Sequence, residues 1–360
     1  MSGFNFPIFK TKIKGVAKKF ALEDPVQRRK YFELKAGLEI KKMREFLEKG
    51  NTFVGFLLGP KNSGKGTYTK LFSEAIGGDY IAHISVGDIV RSVYKVLETE
   101  KGKSELLSYL EKRYRGFLSA EEVIKAILGK SQNVHLPTEG ILALVEREID
   151  KIGRKAIFID GFPRNLDQVS YSLYFRALIG YRDDPDFFVF IDVPEAVIDE
   201  RMKYRVTCPV CQSPRNIKLL RTKEAGYDFK QKEFFLLCDN PQCAGFGKSR
   251  MVAKEGDALG IESIRNRLEM ESEVIQKLSE LKGVPKIFLR NSIPVKSAKK
   301  YTDDYEITPA YKYELLKSGK VKIIEELWTV KDEKGEFSYS LLPAPVAVSF
   351  IKQVVQVLGL

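Results

Sequence analysis

Residues 59–67 read Gly-Pro-Lys-Asn-Ser-Gly-Lys-Gly-Thr. The pattern G-x-x-x-x-G-K is chemistry written in backbone. Gly64 and Gly66 let the chain turn so that N–H groups point inward at phosphate oxygens, with Gly59, Asn62 and Ser63 completing the cradle. Lys65 reaches the β- and γ-phosphates of a nucleotide, and the Thr67 hydroxyl lies where Mg²⁺ would sit. Residues 53–58 before the loop are an apolar run. Tyr68, Leu71, Phe72 and Ala75 after it fall at helical spacing. A strand, a glycine-rich loop and a helix start together imply a phosphate site, because the helix adds its positive dipole end.

The second constellation is sulfur. All four cysteines lie in one segment, as Cys208-Pro-Val-Cys211 and, after 26 intervening residues, Cys238-Asp-Asn-Pro-Gln-Cys243. Two short-spaced pairs on turns can place four thiolates tetrahedrally around Zn²⁺. Two disulfides, or reduced thiols without metal, are the alternatives; disulfides are disfavoured in a cytosolic chain. Four Cys close a coordination shell, so the metal reading is structural rather than catalytic. His83 and His135 are not read as ligands, and His83 is expected to be a core histidine.

Two further groups carry more polar chemistry than a core needs. One is Ser85-Val86-Gly87-Asp88-Ile89-Val90-Arg91. The other is Asp160-Gly161-Phe162-Pro163-Arg164, with Gln168 one turn on. In each, an Asp falls near a strand end and an Arg follows. The Asp can hold Mg²⁺ through water, and the Arg can fork onto a phosphate. The bland alternative is an ion pair bracing a loop. A third, basic group surrounds the cysteines: Arg201 and Arg205 before them, and Lys254, Asp257, Arg265 and Arg267 after. A flap carrying such cations could bring positive charge to a phosphoryl transition state.

The elements that must position these groups alternate. Candidate strands are 53–58, 81–84, 156–159, 187–191 and 286–289. Helical patterns follow the phosphate loop and recur at 141–152, 195–204, 261–281 and 346–357. This predicts an α/β fold with a parallel sheet and helices on both faces, its ligands at the carboxyl ends of the strands.

The totals agree with a globular enzyme. The chain has 360 residues, 44% hydrophobic and 30% charged, with net charge +12. No apolar run approaches the ~20 residues that span a bilayer. The N-terminus lacks the charged start and apolar core of a secretory signal. A cytoplasmic protein without membrane contact is expected. Residues 1–50 hold 13 Lys/Arg against 6 Asp/Glu. The favoured reading is a solvated basic face, and contact with nucleic acid is the alternative.

With these motifs in hand, the chain resembles the adenylate kinase (nucleoside monophosphate kinase) family over about residues 53–295. The matches are the phosphate loop, Ser85 to Arg91, Asp160 to Arg164 with Gln168, Asp192-Val193-Pro194, the run from Glu200 to Arg205, and Ile264-Arg265-Asn266-Arg267-Leu268. The cysteine segment falls where long forms carry their LID. The resemblance implies a phosphate-loop NTPase-type sheet with a helical monophosphate-binding insertion and a zinc-stapled LID. Its boundaries would be CORE at 51–84, 151–204, 258–295 and 343–360, monophosphate-binding at 85–150, and LID at 205–257. It implies transfer of the γ-phosphoryl of Mg·ATP to AMP by a monomer, with UMP or CMP as alternative acceptors. A catalytically reduced nucleotide- or RNA-binding protein is the alternative of another class. It further implies that Lys65, Arg205 and Arg267 contact the transferring phosphates, and that Arg91 and Arg164 hold the acceptor phosphate. Ser85, Val86, Gly87 and Gly161 would line the acceptor site, and Gln168 would hydrogen-bond its base. Arg201 would stack on the ATP base, Asp88 and Asp160 would organise Mg²⁺, and Asp257 would orient LID arginines. Asn62 stands where the family commonly has Gly, Lys61 where Pro is common, Val86 where Thr is usual, and Lys254 where Arg is usual. Residues 1–50, about 98–135 and 296–342 lie outside the resemblance. The last of these is expected to form a β-hairpin over 323–341.

Overall fold

The computed structural model describes residues 6–128, 138–163, 184–253 and 256–360. Five parallel strands form the central sheet: β1 (Val54–Leu58), β2 (Ile81–Ser85), β3 (Ala156–Asp160), β4 (Asp186–Asp192) and, nearest the C-terminus in sequence, Lys286–Arg290. Their spatial order is Lys286–Arg290, β4, β1, β3, β2. All pairings are parallel, and Leu57 lies beside Asp160 and Val189 in register.

Both faces of the sheet are covered over its inner strands, which is why β1, β3 and β4 are apolar through their middles while the two edge strands are not. Alternation splits them between two cores. Phe53, Leu57, Phe158, Phe187, Val189 and Ile191 face one side, and Val54, Phe56, Leu58, Ile157, Phe188 and Phe190 face the other. On the first side lie α1 (Pro25–Glu48), α2 (Lys65–Ile76) and the C-terminal helix Pro343–Val357. On the second lie α3 (Val86–Val96), α4 (Glu100–Arg113), α5 (Ala120–Ile127), α6 (Thr138–Ile152) and the helix Arg265–Glu280. Helices α4 and α5 lie within the stretch of about 98–135 that is outside the family resemblance.

The helix expected over 261–281 starts later. Asp257–Ile264 forms 3-10 turns broken at Gly260, whose φ is 56°. A side chain there would strike Asp199 Oδ1, which instead accepts from the Ile261 N–H at 2.9 Å. The α-helix then runs from Arg265.

Where one hairpin is expected over 323–341, there are two. Pro309–Leu315 pairs antiparallel with Val321–Leu327, and Val330–Lys331 pairs with Phe337–Ser340 around the 332–336 turn. The continuous β-rich run hides its own break: Trp328 and Thr329 separate the first pairing, which ends at Leu327, from the second, which Val330 enters.

The basic N-terminal segment is built into the fold. Pro25 opens α1, with Asp24 Oδ1 accepting from the Gln27 N–H at 2.8 Å. Phe32, Ala36, Ile40, Met43 and Leu47 recur at helical spacing and are buried. Arg44 donates to the Ile76 and Ala75 carbonyls at 2.7 and 2.6 Å, so a cation closes the C-terminal end of the phosphate-loop helix. Arg28 pairs with Glu74 of the same helix at 2.8 Å.

A buried charged cluster joins α1 to the segment after the sheet. Glu306, fully buried, accepts from Tyr31 OH at 2.5 Å, Thr11 Oγ1 at 2.6 Å, Thr302 Oγ1 at 2.5 Å and the Asp303 N–H at 2.7 Å. Lys35 Nζ donates to Asp303 Oδ2 and the Thr11 carbonyl, and stands 3.6 Å from Glu306. Burial, then the neighbouring Glu306 charge, pushes the Tyr31 hydroxyl pKa well up, so Tyr31 stays a donor. Removing one partner strands the carboxylates. Lys35→Met is expected to lower unfolding free energy by about 3 kcal/mol, read from denaturant midpoints; an unchanged midpoint would show the cluster to be energetically idle.

Candidate functional site

The carboxyl ends of β1, β3 and β4 converge on the phosphate loop. β1 delivers the chain to Gly59, and α2 starts at Lys65 with Gly64 as N-cap at φ 102°. A side chain at Gly64 would meet the Tyr68 ring at 2.9 Å. Asn62 is also left-handed, at φ 66°. Asn is the side-chain-bearing residue that best tolerates this conformation, so it serves where the family commonly has Gly. Lys65 Nζ folds over the loop, donating to the Gly59 and Pro60 carbonyls at 2.6 and 3.1 Å, and lies 3.7 Å from Asp160 Oδ1. Asn62 Nδ2 and Ser63 Oγ are buried and, among the described residues, find no hydrogen-bond partner. Unpaired donors in a loop of this shape fit an anion with several acceptor oxygens.

Two arginines stand over the loop. Arg201, from the helix Glu195–Lys203, donates to the Asn62 carbonyl at 3.1 Å and to Asn291 Oδ1 at 2.9 Å. Arg205, at the start of a short strand, grips both oxygens of Asp257 at 2.6 and 2.7 Å and reaches Asn62 Oδ1 at 3.4 Å. A third, Arg267, bonds Glu271 Oε1 at 2.7 Å, and Glu271 Oε2 accepts from the Lys61 N–H at 3.2 Å. Glu271 thus ties Arg267 to the phosphate loop. Its only sequence signal is the i, i+4 spacing from Arg267.

On the other flank, Ser85 caps α3 by accepting from the Asp88 N–H at 3.3 Å. Arg91 pairs with Asp88 on the exposed face of that helix, and this hydrogen bond holds the Asp88 carboxyl below its ordinary range. Val86 is buried, and Gly87 follows it on the first turn of α3. Asp160 and Gly161 end β3, and Phe162 is buried behind them. His83, expected in the core, is exposed. As the middle residue of the edge strand β2, it points away from the apolar face that Ile84 enters. Arg164, Gln168, His135 and Lys254 lie outside the described residues.

Two oxygen-bearing side chains stand beside the loop. Asp160 projects from the end of β3 next to Lys65, and Thr67 is exposed at the first turn of α2.

The cysteines form a separate centre. Their four sulfurs lie within 4.8 Å of one another. Cys208 and Cys243 are 3.9 Å apart, Cys211 and Cys238 are 3.7 Å apart, and none is bonded in a disulfide. Four thiolates about 2.3 Å from a tetrahedral ion stand about 3.8 Å from one another, so the set fits a metal without rearrangement. Turn bonds build the two knuckles: the Gln212 N–H donates to the Cys208 carbonyl, and the Gly245 N–H donates to Cys243 Sγ at 3.3 Å. Arg215 pairs with Asp239 at 2.6 Å across them. The core here is small, with Leu236 and Met251 beside three buried cysteines.

A parallel sheet with a phosphate loop at its carboxyl edge and cations on either flank defines a phosphate-loop phosphotransferase. A family model described as an AAA domain matches residues 58–209. An adenylate kinase of Thermotoga neapolitana is 30% identical over 234 residues, covering 65% of this chain and 86% of the relative. That of Thermotoga petrophila is 30% identical over 220 residues, covering 61% and 80%. That of Clostridium acetobutylicum is 33% identical over 171 residues, covering 47% and 67%. The chain belongs to the adenylate kinase family, and so is a phosphotransferase of the nucleoside monophosphate kinase class. Among the described residues no helix is long and apolar enough to cross a membrane.

The loop's strained turn is testable alone. Gly64→Ala meets both a left-handed φ and the Tyr68 ring, and is expected to destabilise the protein by about 2 kcal/mol in thermal or denaturant unfolding. A neutral effect would show that the loop relaxes freely.

Proposed function

We propose that the protein transfers the γ-phosphoryl of Mg·ATP in line to AMP, giving two ADP. The observation that carries this reading is the pair of unpartnered donors, Asn62 Nδ2 and Ser63 Oγ, inside a loop overhung by Lys65, Arg201 and Arg205. A polyphosphate would satisfy donors that nothing among the described residues does. Lys65, Arg205 and Arg267 would surround the transferring group, whose charge spreads over its peripheral oxygens as the bond to ADP loosens. Arg91 and Arg164 would hold the acceptor phosphate, Gln168 its base, and Arg201 the ATP base. Lys254 would add a point charge from the LID, and Asp257 keeps Arg205 aimed toward the loop. Bound Mg²⁺, on Thr67 and with Asp160 and Asp88 ordering its waters, would neutralise phosphate charge. No covalent intermediate on the chain is needed, because positioning and charge complementarity carry the rate.

The cysteine centre is read as a structural Zn²⁺ site in a LID over 205–257. Its role is to fold a segment whose apolar core is too small to fold alone.

A panel of monophosphates assayed with ATP tests the acceptor: AMP should give the highest kcat/KM. Preference for UMP or CMP would reassign the base and leave the transfer chemistry standing. Lys65→Ala should cut turnover by at least about a hundredfold, with Tm unchanged; retained turnover would remove the mechanism. Elemental analysis should find about one Zn²⁺ per chain. Its removal by a chelator should lower Tm, and a folded, reduced protein without metal would refute the four-thiolate site.

A further inference from the structure

We propose that Asn291 is a positioning residue for the ATP side of the site, and that the segment 330–341 exists in part to hold it. The proposal rests on the reading of Arg201 as the residue against the ATP base. Asn291 follows the edge strand Lys286–Arg290 and is fully buried. Each of its polar atoms is used. Its N–H donates to the Asp192 carbonyl at 2.9 Å, and its own carbonyl accepts from the Leu341 N–H at 2.9 Å. Its Nδ2 donates to the Leu341 carbonyl at 3.0 Å. Its Oδ1 accepts from Ser340 Oγ at 2.9 Å and from Arg201 Nη2 at 2.9 Å.

The amide is therefore locked by the strand Phe337–Ser340 and the residue after it, with Oδ1 aimed at Arg201. The other arm of the guanidinium, Nη1, donates to the Asn62 carbonyl. A planar cation held at both ends has its plane fixed, leaving a face for an aromatic base. The same segment acts on the other end of Arg201's helix. Glu333, in the 332–336 turn, accepts from the Glu195 N–H at 2.6 Å, at the first turn of Glu195–Lys203. One insertion thus caps the helix that carries Arg201 and, through Asn291, orients its side chain. The segment lies outside the family resemblance, and nothing in its composition marks it as part of a nucleotide site.

The test separates orientation from stability. ATP binding by calorimetry without monophosphate, KM for ATP, KM for the monophosphate and Tm are measured for Asn291→Leu and Asn291→Asp. Asn291→Leu should raise the Kd and KM for ATP by about tenfold or more, the worth of one hydrogen bond to a charged group, with the monophosphate KM changed by less than about twofold. Asn291→Asp keeps the acceptor for Arg201 but loses the donor to Leu341, so ATP affinity should recover while Tm still falls. ATP affinity unchanged in Asn291→Leu, or falling in both variants in step with Tm, would overturn the proposal. Should the Leu variant fail to fold, Ser340→Ala carries the test: weaker ATP binding with an unchanged monophosphate KM supports it, and unchanged binding overturns it. If the unmodified protein phosphorylates no monophosphate, the transfer reading fails, and the calorimetric comparison still decides the role of Asn291.

Discussion

A sheet buried on both faces has no place for charge except at its ends, and this constraint organises the molecule. β1, β3 and β4 are apolar through their middles and carry charge only at strand ends, Asp186 where β4 enters and Asp160 and Asp192 where β3 and β4 leave, with Gly59 opening the loop after β1. A titratable group in the middle of any of these strands would face a phenylalanine-rich apolar layer on either side. The phosphate loop, the Asp of the second motif and Asn291 are therefore gathered at one edge by exclusion as much as by design. The packed ring of Phe53, Phe72, Phe158, Phe187 and Phe350 then fixes the angle at which the phosphate-loop helix leaves that edge.

The additions outside the family resemblance brace this edge from behind. The N-terminal helix closes the far end of the phosphate-loop helix through Arg44 and ties itself through Lys35 to Asp303 and Glu306. The hairpin Pro309–Leu315 with Val321–Leu327 leans on the cysteine-bearing segment: the Tyr311 N–H donates to the Lys218 carbonyl, Tyr313 OH donates to the Ile217 carbonyl at 2.6 Å, and Tyr313 packs beside the cysteine core. Part of the positive charge of residues 1–50 is thereby spent on helix ends and buried carboxylates rather than on solvent. The exposed remainder is a surface property.

Much of the fold was legible because the physics is local. Five apolar runs of strand length, alternating with helical patterns, point to a parallel sheet. The glycine-rich loop names its own conformation, since only a few residue types accept the left-handed turns at 62 and 64. The cysteine pairs were legible for the same reason: each knuckle is closed by bonds within a few residues. What was not legible depends on contacts distant in sequence. Glu333 reaches Glu195 across 138 residues, and Ser340 reaches Asn291 across 49. No periodicity encodes either. The helix is expected from 261, although it begins at Arg265, because Ile261 and Ile264 continue its apolar spacing upstream, while the collision with Asp199 that keeps Gly260 glycine exists only after folding. His83 was misread because an edge strand has one wet face, and edge position is a property of strand order rather than of the strand.

Three of the arginines share one electrostatic device. Arg205, Arg267 and Arg91 each hold a carboxylate: Asp257, Glu271 and Asp88. Such pairing keeps a cluster of positive charge from repelling itself, but the pairs differ in burial and so in how readily they yield. Arg91 and Asp88 are largely exposed, and a surface pair is worth so little that an incoming phosphate can displace it. Asp257 is nearly buried and grips Arg205 through both oxygens, so separation would leave a carboxylate without compensation. Arg205 therefore keeps its partner and offers Nη1, the arm already directed at Asn62. The two flanks of the crevice follow different rules as a result. On the exposed flank a bound phosphate would exchange one anion for another. On the phosphate-loop flank it would meet an arginine whose direction is fixed in advance, and preorganised charge of that kind would stabilise a transition state without the cost of reorienting it during transfer.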